Sequence, residues 1–292
     1  MYNWIVKGTT YSLDDGTNFH MDGISGTGMM PVRRLEERGA LQNGVTDRGY
    51  RLDPRLIIMS LYIKGASYSD VYTKRAALLN MFKPRDTEGI LRFELDSTIR
   101  EIKGHYVGDI LGMDDTAATG FTKPVVVAIK CPDPTWYDPT LITINFAISL
   151  SGDLGEIPMT VPMLVGASVL NTTQVITYQG SYETYPIVRI IGPVTDAVIT
   201  HQQTGYKLDF DGVTIGAGEW IEVDTRYGQK SVIDNTGANR ISALTKDSDL
   251  SLFSIVPSPE VFGGINTINV TGESVSGATS VLVSYYRRYI GV

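Results

Sequence analysis

Runs in which apolar and polar residues alternate dominate this chain. That period of two places successive side chains on opposite faces of an extended strand. Tyr2-Asn3-Trp4-Ile5-Val6-Lys7 begins such a run and stops at Gly8. Asp15-Gly16 follows Tyr11, Ser12 and Leu13 and predicts a tight turn, because glycine accepts positive φ at no steric cost. Residues 19–24 read as a weak strand. Residues 23–28 read as a glycine-rich loop or irregular strand: a dinucleotide-binding turn would need a helix N-terminus to receive the phosphate, and no strong helix follows. Residues 56–64 are apolar at nearly every position and predict a strand buried on both faces. Further strands are predicted at 90–95, 99–107, 110–113 and 125–130.

The period changes to three or four in one place. Tyr68, Val71, Tyr72, Leu78, Leu79 and Phe82 form an apolar stripe that predicts a helix packed on a sheet. Ser67 or Ser69 can cap it, Asp70 suits the positive end of the helix dipole, and Pro84 stops it. Residues 33–52 instead hold many charges, three glycines and few apolar side chains. They predict a long hairpin loop reaching away from the body, and loops of that length in compact domains are usually functional or disordered.

After residue 130 comes Cys131-Pro132-Asp133-Pro134-Thr135-Trp136-Tyr137-Asp138-Pro139. Proline lacks the N–H that a central strand or a helix interior requires, so this segment marks a boundary between domains 1–139 and 140–292. Beyond it no helical period is convincing. Strands are predicted at 141–150, 185–191, 197–201, 206–210, 219–223, 230–233, 250–255, 265–270 and 279–289, separated by turns such as Asp211-Gly212. Many short strands with regular turns indicate a β-sandwich or jelly roll. The fold class is therefore mainly β: an N-terminal β-barrel or sandwich-like domain with one α-helix, then a C-terminal β-sandwich.

Composition narrows the function classes. The chain has 292 residues, 42% hydrophobic, enough for two cores, with no apolar run of membrane-spanning length. The first residues carry no signal-peptide pattern. One cysteine, Cys131, and three isolated histidines argue against a disulfide, a thiolate metal site or a histidine-rich zinc site. Net charge is −7, and residues 141–292 hold 14 acidic against 8 basic side chains. Six arginines crowd 23 residues: Arg33, Arg34, Arg38, Arg48, Arg51 and Arg55. They serve either as a solvated face with interspersed acids or as a contact with a phosphate or protein. No broad basic stripe marks a nucleic-acid binder.

Catalytic signatures are missing from the sequence: no nucleophile elbow, His-Glu-x-x-His or phosphate loop occurs. Cys131 reads as a buried thiol. Asp14-Asp15 and Asp114-Asp115 cannot converge as an acid and base, because neighbours in a strand point apart. Asp209-Phe210-Asp211-Gly212 resembles a calcium-loop fragment, but Trp220 stands where the closing glutamate belongs, so a turn is the better reading. No cofactor or metal is implied. Glu219-Trp220-Ile221-Glu222-Val223 alternates, which puts Trp220 and Glu222 on the outer face if Ile221 and Val223 face the core.

Three stretches together resemble the distal tail proteins of long-tailed, non-contractile phages: the Pro-Asp-Pro-Thr-Trp-Tyr-Asp-Pro connector, the segment from Gly49-Tyr50-Arg51 to Ile63, and the helix running into Leu79-Asn80-Met81-Phe82-Lys83-Pro84. The resemblance covers essentially the whole chain. It implies a non-enzymatic hub at the virion tail tip, assembled in the bacterial cytoplasm, in which N-terminal domains close a homo-hexameric ring. That ring would join the tail tube protein to tail-tip proteins, with the 33–52 loop and its Arg33, Arg34, Arg38, Arg48 and Arg51 lying on a neighbouring subunit. It also implies a C-terminal sandwich, often galectin-like, that can hold a receptor-binding protein. The alternative class is a lectin-like sandwich whose Trp220 contacts a neutral glycan.

Overall fold

The computed structural model describes residues 1–108, 122–147 and 169–292. The strand expected at 110–113, the Asp114-Asp115 pair and positions 148–150 lie outside the described residues. The chain forms two compact units, Met1–Pro139 together with Tyr289–Val292, and Thr140–Arg288. The expected break near residue 139 thus has a second crossing at Arg288/Tyr289 that no sequence signal marked.

Unit 1 contains β1 (Tyr2–Val6), β2 (Thr9–Ser12), β3 (Phe19–Ser25), β4 (Val32–Glu37), β5 (Thr46–Leu52), β6 (Arg55–Lys64), helix α1 (Tyr68–Met81), β7 (Gly89–Leu95), β8 (Thr98–Tyr106), β9 (Thr122–Cys131) and β10 (Trp136–Tyr137). The main sheet runs β2-β1-β7-β8-β9-β6-β3 and is antiparallel throughout. Among the described residues β8 meets β9 through two pairs, His105–Lys130 and Tyr106–Ile129, followed by a bond from the Val107 N–H to the Ala128 carbonyl. Trp4, Leu91 and Ile102 on one side of that seam share a core with Ile57, Met59, Leu61, Ile63, Val125 and Val127 on the other. Among the described residues β2 and β3 stand at opposite ends of the order and do not pair, so the arrangement is an open sandwich and not a closed barrel.

The tight hairpin joins β1 to β2 at Lys7-Gly8, both at positive φ. Asp15 does different work: its carboxylate accepts the N–H groups of Thr17, Asn18 and Phe19. Helix α1 follows its sequence signals. Ser67 Oγ accepts the Asp70 N–H, Asp70 pairs with Lys74, and Arg85 donates back to the carbonyls of Asn80, Met81 and Lys83 just before and after the helix end. Val71, Leu78, Met81 and Phe82 are buried, whereas Tyr68, Tyr72 and Leu79 point outward, so the predicted stripe divides between two faces. β6 is corrected likewise. Its residues alternate, with Ile57, Met59, Leu61 and Ile63 inside and Leu56 and Ile58 exposed.

Unit 2 contains β11 (Ile142–Ala147), β12 (Leu170–Thr177), β13 (Ile187–Ile191), β14 (Val194–His201), β15 (Lys207–Asp209), β16 (Thr214–Ile215), β17 (Trp220–Asp224), β18 (Ser231–Asp234), β19 (Ile265–Glu273) and β20 (Ser280–Tyr285). One sheet is ordered β11-β20-β13-β17-β18, and the other β12-β19-β14-β15 with β16 beside β14. Val188, Ile190, Val223 and Val281 from the first sheet pack with Ile199, Leu208, Ile268 and Val270 from the second, which makes a β-sandwich. The only helical elements among the described residues of this unit are short 3-10 turns at Ile241–Ala243 and Phe262–Gly264. The strand predicted at 250–255 is irregular, with a single bridge from Ile255 to Thr184. The run predicted at 279–289 splits into β20 and β21 (Arg288–Tyr289), and β21 pairs with β10.

Candidate functional site

Residues 33–52 form the expected hairpin, and its arms are paired strands. β4 and β5 pair Val32 with Leu52, Arg33 with Arg51 and Arg34 with Tyr50. A register shift follows before Glu36 meets Asp47. The hairpin is its own two-stranded sheet, and every β4 residue is exposed. Its sequence carries charge on both faces, so no period of two announces the strands.

The five arginines expected to reach a neighbour are engaged within their own hairpin or at its base. Arg33 donates to Asp53 at 3.0 Å, and Arg51 lies 3.6 Å from the same carboxylate. Arg34 meets Asp47 at 3.3 Å and stacks over the Tyr50 ring. Arg48 pairs with Glu37 at 2.6 Å, and Arg38 donates to the Gln42 carbonyl. Exposed pairs of this kind contribute about 0–1 kcal/mol each, enough to bias the hairpin's shape and too little to hold it up. The unmet requirement is apolar. Val32, Leu35, Val45 and Tyr50 are exposed, and Leu41 is 99% exposed. A two-stranded hairpin is marginal by itself, and these side chains gain free energy only when something covers them. The composition of 33–52 hid them among the charges.

Arg55 is separated from that cluster by burial. It is 1% exposed, shares the inner face of β6 with Ile57 and Met59, and donates to four main-chain carbonyls. Nε reaches Pro134 at 2.7 Å, Nη1 reaches Gly26 and Gly28 at 2.6 and 2.8 Å, and Nη2 reaches Ile290 at 2.6 Å. Burial pulls its pKa below the ordinary arginine value. Reading Arg55 as one of a solvated cluster is therefore corrected. Its place in the alternation of β6 was the signal that could have found it. Cys131 is opposite Arg55 in the β6–β9 ladder and fully buried, and burial pushes its thiol up to about 12.

In unit 2, Ile221 and Val223 face the core and Trp220 is half-buried on the outer face of β17. The Arg189 guanidinium lies 4.5 Å from the Trp220 ring centre and also bonds Glu222 at 2.8 Å. That leaves one ring face covered by a cation. Asp209 is paired with Lys207 and accepts the Asp211 N–H, as a turn requires. Among the described residues no cluster of His, Cys, Asp and Glu could hold a metal ion. The buried His201 is spent on Thr204 and Asn266.

Residues 6–108 match the family model described as a phage tail protein RIFT-related domain. The fold of the whole chain is similar to that of the Dit protein of phage SPP1, described as a paradigm of hub adsorption apparatus in phages that infect Gram-positive bacteria. The TM-score is 0.67 at 15% identity, over 99% of both chains. A chain of the phage P2 baseplate in its activated conformation with calcium aligns with a TM-score of 0.49 at 11% identity over 100% of both chains. No curated protein sequence matches the chain. The resemblance read from the connector, the 49–63 segment and the helix is thereby borne out at the level of fold.

Proposed function

We propose that this chain is a structural tail-tip hub protein of a long-tailed phage, in which six copies close a ring that joins the tail tube to the tail-tip proteins. The observation that carries the proposal is the β4–β5 hairpin, a ribbon with Leu41, Val45 and Tyr50 uncovered in a unit whose fold is that of a phage tail domain. A closed ring needs a heterologous interface, one patch of each copy meeting a different patch of the next. The hairpin supplies the first patch, and the outward side chains Leu56 and Ile58 of β6 or Tyr68, Tyr72 and Leu79 of α1 are candidates for the second. Nothing in this role requires chemistry, so the chain acts as a scaffold, located in the virion tail and assembled in the host cytoplasm.

Unit 2 then serves as a contact for a receptor-binding protein or another tail component. Its outward Trp220, with Arg189 beside it, is the residue through which the neutral-glycan alternative is tested. The mass of the purified chain in solution decides the assembly reading. A species near six subunits is expected, and a monomer or dimer at every concentration reached would overturn it. Glycan-array binding that is lost in Trp220→Ala with folding intact would favour the lectin alternative.

A further inference from the structure

Three separate segments of unit 1 meet on one side chain. Gly26 and Gly28 lie just ahead of β4, at the root of the hairpin. Pro134 lies in the connector that leads to the first crossing into unit 2. Ile290 lies two residues after the second crossing. Arg55 donates to a carbonyl of each, and among the described residues no carboxylate is its hydrogen-bond partner. A buried cation without a carboxylate is an expensive choice where an apolar side chain would fill the space. The guanidinium has what an apolar group lacks: five donors in one rigid plane, able to hold carbonyls from several directions together.

The neighbouring backbone is shaped to the same end. A Cβ on Gly291 would lie 2.7 Å from the Gly28 carbonyl oxygen and 2.9 Å from that of Thr27. The Val292 N–H donates to the Thr27 carbonyl at 3.2 Å. Gly26 sits at φ +85°, and a Cβ there would come within 2.1 Å of the Leu56 carbonyl oxygen. Arg100 stacks over Tyr289 at 3.5 Å and holds the start of the returning segment. Withdrawing residues 290–292 would leave Arg55 with a buried, unanswered donor unless the Gly26–Gly28 carbonyls or the Pro134 carbonyl moved as well.

We propose that residues 289–292 are a second tether of unit 2, and that Arg55 is the positioning residue that couples this tether to the root of the β4–β5 hairpin. Strain on unit 2 reaches the hairpin by this route and not only through the connector at Pro139. The inference stands on the fold of unit 1 and does not depend on the assembly reading.

Hydrogen exchange on the full chain tests it. Gly291→Val keeps the length but cannot make the close approach to Thr27 and Gly28. Exchange across residues 24–36 is expected to rise about tenfold in this variant, as for a local opening that has lost one closing contact. Exchange in unit 2 strands such as Trp220–Asp224 should not change. In an Arg55→Lys background, adding Gly291→Val should accelerate 24–36 by less than it does alone, because the part of the coupling that runs through Arg55 is already cut. A Gly291→Val chain that exchanges faster only at 288–292 overturns the coupling. So do two substitutions whose effects on 24–36 simply multiply. Should Arg55→Lys prevent folding, the single Gly291→Val comparison decides.

Discussion

Replacing Leu41 and Tyr50 together by serine should dissolve the proposed ring without disturbing the subunit. Leu41 is 99% exposed and Tyr50 57% exposed. Complete burial of a side chain of this size contributes about 1.5–3 kcal/mol. Leu41 has all of that still to gain on docking and Tyr50 a little over half, so the pair accounts for roughly 3 kcal/mol per hairpin. At about 1.4 kcal/mol for each factor of ten, the double variant should need roughly a hundredfold higher protein concentration to associate. The arginines give the internal comparison. Arg33→Ala and Arg48→Ala each remove an exposed ion pair worth about 0–1 kcal/mol, so each should shift the threshold by no more than about fivefold. The assay is a dilution series followed by mass photometry, with thermal unfolding as a control. Neither Leu41 nor Tyr50 belongs to a core cluster, so the unfolding temperature should hold. An unchanged association threshold in the double variant, or arginine variants that do more damage than it, would refute docking through the apolar side chains.

Three further outcomes are expected. Gly89→Ala would place its Cβ 2.0 Å from the Trp4 ring, which is held against Phe82 and bonded to the Met81 carbonyl, so calorimetry should show unit 1 losing about 1–3 kcal/mol by overpacking. For Asp15, burial raises the pKa, but the N–H groups of Phe19, Asn18 and Thr17 outweigh it and hold the carboxyl at about 2. A folded pKa below the unfolded value means that this stabilisation is present above about pH 4 and lost as pH falls towards 2. Asp15→Asn should therefore flatten that part of the acid-unfolding profile of unit 1, and an unaltered profile would count against the turn's role. Cys131, with its thiol pushed up to about 12 by burial, should resist a thiol reagent in the native protein at neutral pH and react once denaturant is added; rapid native labelling would contradict its burial.

What the sequence revealed depended on whether a segment's environment was one-sided. β7 and β19 each have one wetter and one dry face, and their alternation predicted them. The helix was legible because Ser67, Asp70 and Pro84 act locally. The β4–β5 segment was legible as a hairpin but not as strands, because a ribbon exposed on both faces has no reason to alternate. β12 escaped notice for a related cause: Thr172 and Gln174 occupy its inward positions between Leu170 and Ile176, so its core-facing row is half polar. The 250–255 run misled in the opposite sense. Phe253 and Ile255 are fully buried, but as plugs on an irregular segment and not as part of a ladder. Arg55 looked like its charged neighbours in composition, and only its parity with Ile57 and Met59 distinguishes it. Its partners lie 27 to 235 positions away, beyond any local pattern.

The pairing of β21 with β10 also bears on how such a chain can change over generations. The strands by which it leaves unit 1 and comes back to it are hydrogen-bonded neighbours, a spacing of about 5 Å between adjacent strands. Everything from Thr140 to Arg288 lies in sequence between those two points. A few residues could bridge that spacing, or a foreign module whose ends lie equally close could be spliced in, with the sheet of unit 1 left in register. Recombination at these two points would exchange unit 2 as a cassette while the unit that carries the hairpin is inherited unchanged.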